Sequence, residues 1–135
     1  FRGEALPSIA AVSRLRITSR TADGTGAAFL AAEGGTVVER GPAARAPGTT
    51  VEVADLFFNT PARRKFLGSP AGELRAALRL LEAYALAFPQ VGFRLLVDGK
   101  QRLEWPAVTP AGLSGRRDRA AALWGARHAT QLLEV

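Results

Sequence analysis

The sequence of 135 residues contains no cysteine, no methionine and a single histidine. Without cysteine there can be neither a disulfide nor a thiolate metal site, and with one histidine a metal site would have to rest on carboxylates. No run of about 18 apolar residues occurs, so we expect no membrane-spanning helix and no membrane partner. The start has no secretory signal pattern. Because the chain lacks an initial Met, we expect it to be a piece of a longer protein.

Acidic residues are fewer than basic ones, with 12 against 18, which gives a net charge of +6. All of the basic residues are arginine except Lys65 and Lys100. A domain this basic is a candidate for binding polyanions, either nucleic acid or the phosphates of a nucleotide. Since an arginine- and alanine-rich composition can also reflect the base composition of a genome, the charge alone leaves both explanations open.

The pattern of the first 57 residues predicts one helix followed by four strands. A mostly apolar stripe predicts a short helix over 3–12, where Pro7 either lies at the first position or removes one early hydrogen bond. Strict alternation over 13–21 predicts a half-buried strand with a basic outer face. Further strands are expected over 27–32, 36–40 and 49–57. The segment 41–48, between the last two strands, is expected to be irregular. We expect an antiparallel meander with the helix on one side.

Two helices are predicted after the strands. Thr60 and Ser69 are both good N-cap residues, and each is followed by a proline, which favours the first helical position. These caps predict helices over 61–67 and 70–87. Apolar residues at helical spacing run along one side of the second helix, and arginines mark its exposed side.

The rest of the chain predicts a hairpin, a break and a basic helix. Asp98 and Gly99 together give a strong signal for a two-residue turn between two strands. Prolines and a glycine then predict a linker, so we place a boundary between a domain at 1–108 and a second at 109–135. These elements are strands at 91–97 and 100–105, the break at 106–112, a helix at 115–124 and the start of a strand at 132–135.

Three stretches stand out as candidate motifs. They are Phe1 to Leu6, the Gly-Thr-Thr run at 48–50, and the long run from Asp55 to Leu67. Together they resemble the MutL family of DNA mismatch-repair ATPases. The first two are similar to ATP-site motifs that this family shares with gyrase B subunits, histidine kinases and related chaperones. The third is close to a signature of the MutL branch, and the resemblance extends loosely over the whole chain.

The resemblance implies a fold and an activity. It implies a two-layer α/β sandwich of the Bergerat type, with the later part of a GHKL ATPase domain over 1–108 and the start of a transducer domain over 109–135. In the parent protein it implies that water attacks the γ-phosphate of Mg-ATP. The family's general base and its Mg²⁺ ligand correspond to positions before Phe1. We therefore expect the chain alone to hold half of the pocket, with no catalytic or metal-binding residue, and to be inactive.

The first stretch corresponds to a lid that closes over the ATP phosphates in the family. The nucleotide-binding residues that the resemblance implies there are Arg2, Gly3, Glu4, Ala5 and Leu6. Gly3 would let the backbone approach the phosphates, and the N–H groups after it would point at phosphate oxygens. Without the resemblance, a lone glycine before a helix is explained as a residue that only shapes a turn. Glu4 is interpreted as an acid that favours the helix dipole rather than as the base.

Thr49 is the other nucleotide-binding candidate. The resemblance places its hydroxyl near the adenine, by analogy with the threonine that closes the fourth shared motif. Without the resemblance, a threonine at the start of a strand is explained by its β-propensity.

Clusters of arginine are the DNA-binding candidates. They are Arg63, Arg64 and Lys65 in the long run, and Arg116 and Arg117, with Arg119 beside them, in the basic helix. Contacts between these residues and phosphates would give sequence-independent, salt-sensitive binding. The clusters of basic residues are equally explained if these side chains are simply exposed to solvent. The run that contains Arg63 to Lys65 is also explained as the start of a capped helix, with Phe66 and Leu67 in the core. His128 is interpreted as structural.

The resemblance also implies partners for the parent protein. These are mismatched DNA, a mismatch-recognition protein and a second copy in a homodimer, in the cytoplasm of a bacterium at the nucleoid. An alternative function of a different class is a DNA-binding module without nucleotide chemistry. It is motivated by the basic faces at 14–20, 63–65 and 116–119. A further alternative is another GHKL ATPase such as a topoisomerase subunit, against which the run from Asn59 to Phe66 argues.

Overall fold

The computed structural model describes residues 3–109 and 112–129, apart from the side chain of His128. The chain divides into two compact units, Phe1–Leu67 and Gly68–Val135. The domain boundary predicted at 108 lies inside the second unit and stays a prediction. Among the described residues, none of the helices has the length and apolar character needed to cross a membrane.

The first unit is an antiparallel sheet of four strands with two short helices. In chain order its elements are α1 (Ala5–Ala10), β1 (Arg14–Arg20), β2 (Ala27–Glu33), β3 (Thr36–Ala43), β4 (Gly48–Ala54) and α2 (Pro61–Arg64). The expected α/β class is confirmed. Strand β3 continues through Pro42, which the sequence placed in an irregular segment; the strand is at the sheet edge, where proline is tolerated.

The predicted antiparallel meander is confirmed for β1 to β3 and is wrong for β4, because the strand order is β3-β2-β1-β4. The last strand pairs with the first, from Arg14 opposite Ala54 to Arg20 opposite Gly48. The connection from Ala43 to Gly48 must cross the ends of two strands, roughly 14 Å at the usual strand spacing. Five residue steps span at most about 17 Å, so this connection has little spare length, and it bends at Ala46 and Pro47. Arg45 fixes it by donating from Nη1 to the Thr18 carbonyl at 2.7 Å.

The core of this unit lies between α1 and one face of the sheet. Ala10, Leu15 and Ala32 are buried, and Ile9 and Ile17 pack partly against them. Strand alternation places the arginines of β1 on the opposite, exposed face, as predicted.

Helix α1 accommodates its proline without losing a hydrogen bond. The helix begins at Ala5, so Pro7 is its third residue. The first N–H groups of any helix have no partner within it, and the missing N–H of Pro7 therefore costs nothing. The sequence left this question open, and the structure places the proline inside the first turn.

The second unit combines three helices and a hairpin. Its elements are α3 (Pro70–Ala87), β5 (Phe93–Val97), β6 (Lys100–Trp105), α4 (Leu113–Trp124) and α5 (Ala126–Ala129). Ser69 caps α3 as predicted, accepting a hydrogen bond from the Gly72 N–H at 3.2 Å. Asp98 and Gly99 have φ values of +50° and +73°, which confirms the two-residue turn. The strand predicted at 132–135 lies outside the described residues.

An exposed ion pair across the hairpin generates a testable pH dependence. Arg94 lies opposite Glu104 and donates to its carboxylate, and this hydrogen bond, together with the charge of Arg94, lowers the pKa of Glu104. A lowered folded-state pKa means that the stabilisation is present above the ordinary glutamate pKa and is lost as the pH falls through the lowered value. Glu104→Gln removes the ion pair at every pH, so we expect a small loss of stability at neutral pH, small because the pair is exposed, and a smaller loss in acid, where Glu104 is protonated. The acid dependence of stability is therefore expected to be weaker in the variant.

The measurement is the urea midpoint of unfolding at a series of pH values from neutral to acid. The matched control is Glu82→Gln, a change of the same kind on helix α3, which should keep the wild-type acid dependence. Equal acid dependence in wild type and Glu104→Gln would contradict the assignment.

Candidate nucleotide site

The candidate lid begins with a backbone conformation that favours glycine. Gly3 has a φ of +67°, in the left-handed region. A Cβ at this position would meet no atom within 4 Å. The constraint on Gly3 within the described residues is therefore its backbone conformation rather than crowding. Arg2 lies outside the described residues, so its contact with phosphate stays a prediction.

The N-terminal end of α1 presents a small group of N–H donors. Glu4 occupies the N-cap position, with no side-chain hydrogen bond to the helix. The first intrahelical hydrogen bond runs from the Ser8 N–H to the Glu4 carbonyl at 3.0 Å. The N–H groups of Ala5 and Leu6 precede it and have no partner within the helix. Because Pro7 carries no N–H, the donors are concentrated on two consecutive residues.

Thr49 lies on the sheet face that α1 covers. It is opposite Ser19 in the register, and their hydroxyls are 2.8 Å apart. Since Leu15 and Ile17 on β1 face the helix, alternation places Ser19 and its neighbour Thr49 on the same side. The sheet thus brings the two predicted nucleotide-binding stretches to one face, and the contact of Thr49 with adenine stays a prediction.

The segment between β4 and α2 begins the long run that the sequence singled out, but its contacts with the end of α1 were not predicted. Asp55 and Phe57 have φ values of +50° and +64°, which is unusual for residues other than glycine and marks local strain. The Phe57 N–H donates to the Val12 carbonyl at 2.6 Å, and Asn59 Nδ2 donates to the Ala11 carbonyl at 2.9 Å. This segment therefore holds the chain just after α1.

Two expectations for the helix start at 61 are wrong. Thr60 makes no side-chain cap, and its buried hydroxyl has no partner. Phe66 is 87% exposed and Leu67 is 41% exposed, rather than in the core. The reason is that α2 ends at Arg64, so both side chains follow the helix instead of continuing its inner face.

The cations around α2 are exposed and stay DNA-binding candidates. Arg63, Arg64 and Lys65 are all on the surface of the first unit. Arg63 also lines a shallow apolar pocket with Phe57 and Phe66. Exposure alone does not test their contact with DNA, which stays a prediction.

The basic face of β1 is neutralised by carboxylates. Arg14 pairs with Glu33 and Asp55, and these contacts raise the pKa of its guanidinium. Arg16 is 3.8 Å from a carboxylate oxygen of Glu39. The face that motivated a pure DNA-binding module thus carries balanced charge, which weakens that alternative.

Arg119 is not an exposed cation. It is 1% exposed, and its Nη2 lies 2.9, 2.8 and 2.9 Å from the carbonyl oxygens of Pro89, Val91 and Pro106, so that its two N–H groups are shared among three acceptors. Burial lowers the pKa of its guanidinium, although arginine keeps its charge in proteins. Its grouping with the DNA-binding candidates is wrong, because α4 turns this side chain inward.

The neighbouring arginines of α4 differ from Arg119. Arg116 and Arg117 are exposed, and their contact with DNA stays a prediction. Within residues 3–109 and 112–129, no group of three or more Asp, Glu or His side chains could hold a metal ion.

Comparison with known proteins identifies this arrangement. No protein-family model matches the chain. The solved ATPase domain of MutL from Aquifex aeolicus, complexed with ADP, superposes with a TM-score of 0.82 at 34% identity, covering 90% of this chain and 48% of that one. The DNA mismatch repair protein MutL of Acidiphilium cryptum is 49% identical, and that of Neisseria meningitidis 47%, each over 100% of this chain.

The fold is that of a GHKL-type ATPase domain, of which this chain covers about half. The chain spans about a fifth of the length of the curated relatives it matches, 22% and 20% for the two named above. Over that segment it belongs to the MutL family of DNA mismatch-repair proteins. A DNA-binding module without nucleotide chemistry and a topoisomerase subunit are not favoured.

Because the guanidinium of Arg119 is buried, replacing Arg119 is expected to lower the free energy of unfolding much more than replacing the exposed Arg116. Replacing Arg119 with Met leaves three carbonyls without their donor, so we expect a loss of about 2–3 kcal/mol in the free energy of unfolding. Arg116→Met, on the exposed side of the same helix, should change it by less than about 0.5 kcal/mol. Thermal and urea unfolding of both variants provide the measurement, and equal losses would contradict the structural role.

Proposed function

We propose that this chain is the later part of the ATPase region of a mismatch-repair protein that binds and hydrolyses ATP. The observation that carries the proposal is the match of this sheet, with α1 and Thr49 on one of its faces, to an ADP-bound MutL ATPase domain. ATP supplies the phosphoryl group that is transferred to water, with Mg²⁺ neutralising its charge. The base and the metal ligand belong to parts of the protein outside this chain, which by itself is inactive.

The start of α1 binds the phosphates in this proposal. Gly3 turns the backbone so that the N–H groups of Ala5 and Leu6 face phosphate oxygens, as helix N-termini do. Arg2 adds its charge, and Glu4 orients the helix start rather than removing a proton. Thr49 contacts the adenine through the hydroxyl that now bonds Ser19.

The parent protein uses nucleotide binding to control its partners. Ordering of the lid favours dimerisation and changes the affinity for mismatched DNA and for a mismatch-recognition protein, in the bacterial cytoplasm at the nucleoid. Residues 109–135 begin the transducer domain that carries this change. The cations proposed to contact DNA phosphates are Arg63, Arg64, Lys65, Arg116 and Arg117, all of them exposed.

Substitutions at Gly3 test the lid in the intact protein. Gly3→Val cannot adopt a φ of +67° without strain and blocks the approach of phosphate, so ATP turnover should fall at least about tenfold. Gly3→Asn tolerates the left-handed conformation but still adds a side chain on the phosphate side.

The two variants distinguish a Gly3 that only shapes a turn from a Gly3 that lets phosphate approach the backbone. If Gly3 only shapes a turn, Gly3→Asn should retain turnover, whereas the proposal expects both variants to lose nucleotide binding. Nucleotide titration and steady-state turnover are the measurements. Normal turnover in Gly3→Val would refute the phosphate role.

Charge removal at α2 tests the DNA contact. If Arg63 and Arg64 each touch one phosphate, replacing both with Gln should weaken DNA binding for every sequence. The slope of log affinity against log salt should fall by about 2. Fluorescence anisotropy with duplexes of two different sequences, over a range of salt concentrations, provides the measurement.

Removing two charges elsewhere controls for net charge. Arg75 and Arg79 are exposed on α3 and are not proposed to contact DNA. The double change Arg75→Gln and Arg79→Gln should leave the salt slope at the wild-type value. An unchanged slope in the Arg63 and Arg64 variant would assign those residues to structure.

A further inference from the structure

The C-terminal end of α1 is held by hydrogen bonds from several parts of the first unit. The Ile9 carbonyl accepts from the Ser13 hydroxyl at 2.7 Å, and the Ala10 carbonyl accepts from the Gly35 N–H at 2.8 Å. The Ala11 carbonyl accepts from Asn59 Nδ2 at 2.9 Å. Three separate parts of the first unit therefore supply donors to the end of one short helix.

The donors converge because two loops meet beside α1. The turn between β2 and β3 contributes the N–H groups of Gly34 and Gly35, which donate to the Ser13 and Ala10 carbonyls. A Cβ on Gly34 would lie 3.2 Å from Asn59 Nδ2, so the turn and the segment after β4 are in contact. Each loop limits the movement of the other.

Strain in the second loop indicates that its position matters. Phe57 holds a φ of +64°, which a bulky side chain rarely adopts, while its N–H donates to Val12. Arg14 holds the same loop through an ion pair with Asp55 and by lying 5.0 Å from the centre of the Phe58 ring. The loop is thus held in a conformation that presents Asn59 to the end of α1.

We propose that Asn59 is a positioning residue for nucleotide binding, whose amide anchors the C-terminal end of α1 so that the N–H donors at the start of the helix keep one direction. This inference rests on the proposed phosphate-binding role of the start of α1. With the helix fixed at Ala11, the bound geometry costs less conformational entropy. Without the anchor the helix end moves, and nucleotide binding must order it first.

The test uses the intact protein with a matched set of variants. Asn59→Leu keeps the branched shape but removes the donor, and Asn59→Gln keeps an amide donor on a longer side chain. Thr60→Val is the control on the same loop, because the Thr60 hydroxyl has no partner to lose. If Asn59→Leu does not fold, Asn59→Ser replaces it, since its hydroxyl is too short to reach Ala11.

Two measurements are made on each protein. Hydrogen exchange reports the amides of Gly35 and Phe57 without nucleotide, and those of Ala5 and Leu6 with and without a non-hydrolysable ATP analogue. Titration of the same analogue reports affinity. For Asn59→Leu we expect faster exchange at Gly35 and Phe57, and an affinity reduced about 2- to 5-fold because one exposed hydrogen bond is lost. Asn59→Gln should recover part of this loss, and Thr60→Val should match wild type.

The outcomes separate this inference from the proposed function. If wild type shows no nucleotide-dependent protection at Ala5 and Leu6, the lid itself is wrong, and the anchor has no role in nucleotide binding. If wild type shows that protection and Asn59→Leu binds the analogue with wild-type affinity, the lid stands and the anchor is overturned. An equal loss of affinity in Thr60→Val would also overturn it, since the effect would belong to the loop in general.

Discussion

The carbonyl groups that end α1 need hydrogen-bond donors, and the first unit is assembled around them. A helix of six residues can satisfy few of its own groups, so its stability depends on partners from elsewhere. Ser13, the turn at Gly34 and Gly35, and the loop at Asn59 supply these donors. The same contacts join the helix, the β2–β3 hairpin and the loop after β4 into one compact body.

Arginine serves this chain largely as a connector rather than as free charge. Arg14 joins two strands and a loop, Arg45 fixes a short connection between strands, and Arg119 binds three backbone carbonyls in the second unit. The planar guanidinium with several donors suits each of these tasks better than a lysine would. The high net charge therefore overstates how much of the surface is available to DNA.

Local patterns in the sequence predicted the elements well and their arrangement less well. Alternation along β1, the Ser69 cap and the Asp98-Gly99 turn depend on neighbouring residues, and all three are confirmed. The strand order depends on which edge a short connection can reach, and no local pattern encodes that. For the candidate site, the motifs predict Gly3 and Thr49 as nucleotide-binding residues, but no local pattern predicts the contact of Asn59 with Ala11, which joins residues 48 positions apart.

The contacts at the end of α1 give a physical explanation for the long run from Asp55 to Leu67. Its first part, Asp55 to Asn59, closes on the end of α1, whereas its second part carries exposed cations and the exposed ring of Phe66. A single sequence motif thus combines two requirements with different chemistry. The anchor needs an amide at one position and a backbone held at positive φ, while the surface part needs only charge and exposure. Substitutions within the run should therefore divide into two classes, and its position directly after β4 links the proposed adenine-binding strand to the proposed phosphate-binding helix.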